Sequence, residues 1–406
     1  MYIAIILLDL NEFVTRSLGS ESVLTTLIFI ISLFLIFSAR PLTGTDGRLN
    51  RAFLVAFFGF LFLGGIASII EGDSSGLFKD VRYYLPSVLI YFSTYRSVMS
   101  IRSEGELYRI ISIAAILIGF NAILILVSIG FNIDFHGSTG LDQVERAVGL
   151  YSNANRAGYV STIGQSLALL LLFSGAVKRP NFYFWLYVLC LLAALSTFSK
   201  GTILLSMLLI LRLLYLGLVN RDLNIYGVRR YIRRFAVMFG LILLGLAFGL
   251  LNLQSRLSDL QSQRISQVQL LLQGQIDRET TTHRSELAVI ALEEMRETFF
   301  LGAGLGKFKK MDIGNGTHNV YLLILGEAGV IALILYLLFY VKWAKNSFAG
   351  RQFSSLRFAS GNIMILFFFS GFVAHTLLAN KPYILSLALI LAALRIDRTI
   401  RMVQVP

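Results

Sequence analysis

Long apolar runs separated by short polar islands make up most of the chain. A bilayer core takes about 20 apolar helical residues, and runs near that length predict eleven spanning helices. They lie near residues 23–38, 52–70, 84–97, 108–129, 158–176, 183–199, 202–219, 235–253, 319–341, 359–378 and 382–394. Met1–Leu10, continued by Asn11–Val14, predicts one more. The pattern therefore predicts an all-α polytopic membrane protein with about 12 transmembrane helices.

The composition agrees with a membrane protein. Of 406 residues, 56% are hydrophobic and 15% charged, and the mean hydropathy is +0.72. Soluble domains are closer to half apolar and a quarter charged. The single cysteine, Cys190, excludes an intramolecular disulfide, a zinc ribbon and a thiol redox motif. Met1–Leu10 lacks a basic start and a small-residue cleavage site, so no cleavable signal peptide is predicted.

Basic residues recur in every second loop between the predicted spans. The net charge of +13 comes from 36 Lys and Arg against 23 Asp and Glu. In a soluble protein this excess would suggest a nucleic-acid partner, but cytoplasmic loops of membrane proteins collect Lys and Arg. The alternation places both termini in the cytoplasm and predicts no nucleic acid. The cluster Arg229–Arg234 is interpreted as a topology anchor, with a grip on anionic membrane lipids as the alternative.

One long loop lies on the outward side of this predicted topology. Residues 254–318 hold eight Lys and Arg and eight Asp and Glu. Apolar residues recur at helix spacing around Ile265–Leu272 and Leu287–Met295, which predicts amphipathic helices. The chain thus divides into 1–253 with helices 1–9, a large periplasmic loop at 254–318, and 319–406 with helices 10–12 and a basic tail.

Within the long loop, the glycine run Gly302–Gly306 superficially resembles a dinucleotide fingerprint. It lacks the preceding buried strand that such a site needs. A turn that brings backbone close to the membrane surface or to a substrate is predicted instead. Its N–H groups could also face phosphate oxygens.

Few residues on the outward side could carry chemistry. His318, at the end of the long loop, is either a proton acceptor or an interfacial residue bonded to backbone. His375, inside the predicted span 359–378, is a core contact or a polar member of a cavity. Lys200 and Arg156 are pinned at helix ends at the bilayer surface, where cations suit a diphosphate. No clustered outward acidic pair or nucleotide motif occurs, so neither a metal nor another cofactor is predicted.

Four motifs on the outward side together resemble a known family. They are Tyr151–Arg156, Ser199–Leu204, Arg284 leading to Gly302–Gly306, and His318-Asn319 followed after nine residues by Gly329. In this order and placement they resemble the bacterial O-antigen ligase and O-antigen polymerase superfamily. Two positions depart from the family pattern: Lys200 stands where Arg is more common, and Ala332 where Gly, Thr or Val is typical.

The resemblance implies a GT-C-like membrane glycosyltransferase of lipopolysaccharide biosynthesis in the bacterial inner membrane, with its active site facing the periplasm. It implies metal-independent, inverting transfer of a glycan from undecaprenyl pyrophosphate. For a ligase the acceptor is a lipid A–core sugar hydroxyl, and for a polymerase it is another lipid-linked glycan. Lys200 and Arg284 would hold the pyrophosphate, and His318 would orient or deprotonate the acceptor. The implied substrate-binding residues are Tyr151, Asn155, Arg156 and Asn319.

Ligase activity is the favoured prediction, because both ligase-type patterns are present, and polymerase activity is the alternative. A secondary transporter is a rival of another class, but the chain shows no matching halves and few intramembrane charges. A peptidoglycan polymerase is a closer rival. It would need an outward acidic catalytic residue, which the sequence does not identify.

Overall fold

A computed structural model describes most of the chain. The described residues are 1–18, 22–39, 47–72, 74–101, 103–131, 133, 135, 148–151, 153–219, 230–241, 288–289, 292–293, 295–298, 300–309, 319–348 and 354–403. All regular structure in these ranges is helical, and they contain no strand. The predicted all-α class is therefore confirmed.

Within the described ranges, twelve α-helices are numbered in chain order. They are α1 Tyr2–Leu7, α2 Leu10–Leu18, α3 Ser22–Ser38, α4 Arg48–Ile70, α5 Ser74–Met99, α6 Glu104–Phe131, α7 Ala154–Ser174, α8 Pro180–Ser196, α9 Lys200–Val219, α10 Val320–Phe348, α11 Ser355–Ser370 and α12 Lys381–Val403. Residues 230–241 are also helical. Short 3-10 helices cover Lys307–Lys309 and His375–Ala379.

Several of these helices match a bilayer in length and composition. Among the residues that the structure describes, five helices are long and apolar enough to cross a membrane: α4, α6, α7, α9 and α10. Three apolar stretches are shorter, at residues 24–38, in α8 and in α11. The chain is thus a multi-pass membrane protein, and the number of twelve spans stays a prediction.

The centre of the bundle is α7, which is buried along nearly its whole length and packs against α6, α8 and α11. The Asn153 side chain caps its start by accepting a hydrogen bond from the Asn155 backbone N–H at 2.7 Å. The helix ends at Gly175, which has a φ of 69°. Around this centre, α4 lies along α10 and α5 lies along α12.

Two names describe the ends of the bundle. The loop end contains Ile70, Ala154 and Val320, which are the ends of α4, α7 and α10 nearest the predicted outward loop. The basic end contains Arg48 and Phe348, at the opposite ends of α4 and α10. The predicted charge alternation places the loop end outside the cell and the basic end in the cytoplasm.

The predicted single helix over Met1–Val14 is broken in the structure. Asp9 has a φ of +49°, and it separates α1 from α2, which have 6 and 9 residues. At 1.5 Å per residue, neither reaches the roughly 30 Å of a bilayer core. The N-terminal segment is instead a helix pair whose first helix packs inside the bundle, with Ile6 and Leu7 fully buried.

Other boundaries also move. The short predicted span at 84–97 belongs to a longer helix, α5, which contains Pro86. Helix α11 ends at Ser370, eight residues before the predicted end at 378. His375 therefore lies in a 3-10 turn at the loop end rather than inside a span. Of the predicted span 235–253, only residues 235–241 are described, and they are helical.

The predicted division of the chain into three parts stays a prediction. Of the loop 254–318, the structure describes 288–289, 292–293, 295–298 and 300–309. Residues 295–297 are helical, and Met295 is fully buried, as expected for the apolar face of the second predicted amphipathic helix. The first predicted helix, around 265–272, lies outside the described residues.

Candidate functional site

Arg156 lies in the first turn of α7, at the loop end, and pairs with two carboxylates. Its Nη1 is 2.6 Å from Oδ2 of Asp9, and it also donates to Oε2 of Glu12. The Arg156 side chain keeps 25% of its surface exposed, whereas that of Asp9 keeps 3%. The guanidinium is therefore neutralised by the N-terminal helix pair but remains accessible from one side.

The break between α1 and α2 is what presents these carboxylates. At the end of α1, the Leu7 carbonyl accepts a hydrogen bond from the Tyr151 hydroxyl, in the loop before α7. The Tyr151 side chain is fully buried. The same loop is held by the Asn121 side chain, whose Oδ1 accepts from the Leu150 N–H at 2.9 Å. Tyr151 thus fixes the N-terminal segment against the loop, and its predicted role in substrate binding stays a prediction.

Lys200 is the first residue of α9 and lies beside the start of α7. A Cβ on Gly158 would be 2.5 Å from Thr202 Oγ1 and 2.8 Å from Thr197 Oγ1. A Cβ on Gly201 would be 2.5 Å from the Tyr159 hydroxyl. These glycines let the α8–α9 turn and α7 approach closely. The structure therefore brings Arg156 and Lys200, both predicted on sequence grounds, to adjoining helix ends.

Lys381 is a third cation at this end, and sequence reasoning missed it. It begins α12, after the 3-10 turn His375–Ala379. Its charge interacts with those of Asp9, Glu12 and Arg156. Lys381 belongs to no motif. Its position between the predicted spans 359–378 and 382–394, however, could have marked it as a cation on the outward side. Two carboxylates and two cations thus form one charge-balanced cluster, made of Asp9, Glu12, Arg156 and Lys381.

Asn319 caps the start of α10. Its Oδ1 accepts hydrogen bonds from the N–H groups of Tyr321 at 2.9 Å and Leu322 at 3.2 Å. The Val320 N–H donates to the Gly371 carbonyl at 2.7 Å, which ties this start to the end of α11. Asn319 therefore fixes the helix beginning that directly follows His318.

The glycine run docks into a break in α10. Gly329 has a φ of 79° and a ψ of −179°, which interrupts the helix. The carbonyls of Gly326 and Glu327 accept hydrogen bonds from Ala303 and Gly304 at 2.7 and 3.1 Å, and Val330 donates to Phe300 at 3.0 Å. In a membrane, backbone groups freed by a helix break need such partners. Residues 300–306 supply them.

This docking changes the interpretation of the glycine run. The Leu305 N–H donates to Ser68 Oγ of α4 at 2.8 Å. A Cβ on Gly304 would be 2.6 Å from that same oxygen, and one on Gly306 would be 2.3 Å from the Asp80 carboxyl. Because the N–H groups of residues 303–305 are bonded within the protein, the idea that they face phosphate is not supported. The run is a packing element that joins the long loop to α4, α5 and α10.

Two further acidic residues lie near the glycine run. Glu327 and Asp80 are 0% and 6% exposed. In the sequence, Glu327 lies within an apolar run, whereas Asp80 lies between Lys79 and Arg82. Within the described ranges, no three His, Cys, Asp or Glu residues group together as metal ligands would.

The remaining predicted site residues divide into two groups. Asn155 is described, is partly buried, and donates its backbone N–H to the helix cap of α7. His318 and Arg284 lie outside the described residues, so their predicted roles stay predictions. The described geometry joins Lys200, Arg156, Asn155 and Tyr151 at the adjoining ends of α7 and α9, with Asn319 at the start of α10.

The Arg156–Asp9 contact can be tested by a double-mutant cycle. Arg156→Gln and Asp9→Asn are each expected to lower the free energy of unfolding by about 2 kcal/mol. The first change removes the guanidinium that pairs with the buried Asp9 carboxylate, and the second leaves Arg156 with only Glu12 of its two carboxylate partners. The double variant is expected to cost less than the sum, with a coupling of about 1–2 kcal/mol. Chemical unfolding of the purified protein in detergent measures all three.

The matched control cycle pairs Arg156→Gln with Glu104→Gln. Glu104 is an exposed acidic residue that begins α6 at the basic end. Its effect is expected to add to that of Arg156→Gln, since distant sites are independent. Additive costs in the Asp9 cycle as well would contradict the view that Asp9 holds Arg156.

Comparison with known proteins identifies one domain of the chain. Residues 185–337 match the family model described as O-Antigen ligase. The matched range contains Lys200, Arg284, His318, Asn319 and Gly329, and begins after Arg156. It confirms the resemblance drawn from the four motifs. No curated protein and no solved structure matches the chain.

Proposed function

We propose that this membrane protein, which carries the O-antigen ligase domain at residues 185–337, ligates a glycan onto lipopolysaccharide. The family match supports a ligase- or polymerase-type function and a glycosyltransferase-like enzyme. The proposed donor is a glycan on undecaprenyl pyrophosphate, and the proposed acceptor is a hydroxyl of a lipid A–core sugar. The single observation that carries the proposal is this match, because its range includes Lys200, Arg284 and His318.

The proposed reaction is a single displacement with inversion. The acceptor oxygen forms a bond to the anomeric carbon of the donor as the bond from that carbon to the pyrophosphate oxygen breaks. The electron pair of the broken bond leaves with the pyrophosphate, and the acceptor proton passes to His318. The developing charge on the leaving group is neutralised by Lys200 and Arg284, without a metal.

The described geometry brings Lys200 and Arg156 to adjoining helix ends, the part of the fold where we propose that the pyrophosphate binds. Lys200 is partly buried at a helix end next to the start of α7. Arg156 has one accessible side and two carboxylate partners that orient it. We assign Arg156 and Asn155 to a secondary contact with phosphate or sugar. Tyr151 supports this contact through Leu7, and Asn319 supports His318 through the helix cap.

The proposal includes a location. Apolar helices and the family match support a multi-pass protein of a bacterial inner membrane. We propose that the loop end faces the periplasm and that the C-terminus is cytoplasmic, because the basic loops alternate in that sense. The cytoplasmic N-terminus predicted from the sequence required a spanning first helix, which α1 and α2 do not form. The lipid-linked donor would then reach Lys200 laterally, from the outer leaflet of the same membrane.

Electrophoresis of lipopolysaccharide from a strain that lacks the gene tests the function. For a ligase, we expect the loss of all O-antigen attached to the core, because no other step joins the two. Bands with a single repeat unit would instead indicate the alternative, a polymerase that joins lipid-linked repeats. A normal ladder would contradict both ligase and polymerase activity. The secondary transporter would then be the remaining hypothesis, and flux measurements would test it. Complementation with the wild-type gene is the control.

A further inference from the structure

A cavity of about 620 Å³ opens between α4 and α10 at the basic end, far from the proposed active site. Its volume lies in the range of ligand sites, roughly 300–1,000 Å³. It is lined by Arg48, Leu49, Arg51, Ala52, Val55, Leu335, Leu338, Phe339, Lys342, Lys345 and Asn346. Neither the family match nor the proposed transfer reaction assigns this cavity a role.

The two helices are in contact beside the cavity. A Cβ on Gly59 would be 2.9 Å from Leu335 Cδ1. Closer to the basic end, the rings of Phe53 and Phe339 pack with centroids 5.3 Å apart. Leu335 and Phe339 also line the cavity, so these contacts form part of its apolar wall.

The lining is strongly one-sided in charge. Arg48 and Arg51 follow each other by three residues on α4, and Lys342 and Lys345 do the same on α10. All four side chains are exposed, and no carboxylate is among the described lining residues. Arg48 lies on α4 and Lys342 and Lys345 lie on α10, so an anion that binds between the two helices is attracted by cations from both.

The apolar residues of the lining contact both the cavity and the lipid-facing surface of the helix bundle. Val55 and Leu338 are 55% and 48% exposed, and they continue the lipid-facing surfaces of their helices. An occupant with a charged head and an apolar tail would contact both parts of the lining. A free phosphate ion would contact only the cations.

We infer that this cavity binds the head group of an anionic phospholipid, with its acyl chains lying along Val55 and Leu338. The predicted topology puts the basic end at the cytoplasmic leaflet, which is rich in anionic lipid and attracts Lys and Arg at its surface. Basic pockets between transmembrane helices on that side are known to hold lipid head groups. The inference goes beyond the proposed transfer reaction and does not depend on it.

Native mass spectrometry of the full-length protein in detergent, titrated with phosphatidylglycerol, measures the binding. The wild type is expected to bind phosphatidylglycerol more tightly than phosphatidylcholine. The double variant Arg48→Gln/Lys342→Gln removes one charge from each helix, and is expected to weaken phosphatidylglycerol binding by about 30-fold. Val55→Trp fills the lipid-facing side of the cavity without changing charge, and is expected to weaken the binding as well.

The matched control is Lys178→Gln/Arg179→Gln, which removes two exposed cations from the loop between α7 and α8, outside the cavity. It is expected to bind phosphatidylglycerol as the wild type does. Equal loss in this control would overturn the inference, because the binding would then reflect general surface charge. Unchanged binding in either the charge variant or Val55→Trp would overturn it too. Val55 is exposed, so that variant tests the cavity even if the charge variant folds poorly.

Discussion

Replacement of His318 by alanine is expected to lower the rate of glycan transfer by about 10²–10⁴-fold, the usual contribution of a positioned general base. The amount of protein in the membrane should not change, because the start of α10 is fixed by the neighbouring Asn319 cap and the Val320–Gly371 hydrogen bond. These contacts do not use the histidine side chain. The measurement is O-antigen ligation in a complemented deletion strain, with membrane protein quantified in parallel.

The matched control is His136→Ala, which removes a histidine that lies in the sequence between the predicted spans 108–129 and 158–176. This variant should ligate O-antigen at the wild-type rate. If the His318→Ala strain also produced a normal ladder, His318 would not be the base. The proposed roles of Lys200 and Arg284 in neutralising the leaving group would be unaffected. Another residue would then have to accept the proton of the acceptor hydroxyl. Equal loss in both histidine variants would point to a general effect on the loops.

The long apolar helices were the part of the fold that the sequence could predict. Helices such as α4, α6 and α10 contain apolar runs of the length that a bilayer imposes, so their existence follows from local composition alone. Their ends were less predictable. Helix α10 continues to Phe348, past the predicted end at 341. Hydropathy marks only the part of a helix that lies in the bilayer, so it does not show where the helix itself ends.

The N-terminal break could not be predicted, because its cause is distant in the chain. Met1–Val14 reads as one helix, since its apolar residues are nearly continuous. The break at Asp9 is stabilised by Arg156, which is 147 residues away, and by Tyr151, which bonds Leu7 from 144 residues away. Contacts of this kind override local helix propensity. They leave no periodic signal in the sequence.

The candidate site shows the same division. Lys200 and Arg156 were predictable as cations at helix ends, because a charge at a bilayer surface stands out against apolar neighbours. Their surroundings were not predictable. Asp9 and Lys381 are single charges in short segments without a motif. They reach Arg156 only because α1 packs against α6 and α12, and α12 packs against α7.

Gly329→Ala is expected to be the most destabilising single substitution in the described part of the proposed active-site region. The glycine has a φ of 79° and a ψ of −179°, a backbone region essentially restricted to glycine, and forcing another residue into it costs about 1–3 kcal/mol. The added Cβ would also lie 2.5 Å from the carbonyl oxygens of Phe300 and Leu301. These are backbone atoms, so relief requires the docked segment to move.

The expected result is a marked drop in the apparent melting temperature in detergent, together with loss of ligation. Undocking would break the hydrogen bonds from Ala303, Gly304 and Val330 and leave buried backbone groups of α10 unpaired, which is costly inside a membrane. It would also release the segment that joins the long loop, with Arg284, to the helix bundle.

Gly130→Ala provides the matched control for this prediction. Gly130 lies in α6, and a Cβ there would meet nothing within 4 Å. Alanine favours a helix over glycine by about 1 kcal/mol, so this variant should melt at or above the wild-type temperature and stay active. If Gly329→Ala were as stable and as active as Gly130→Ala, the break in α10 would not depend on glycine. Transfer would then be unchanged although the added Cβ forces residues 300–306 to shift. That result would show that the docking of these residues is not needed to hold the active-site loop.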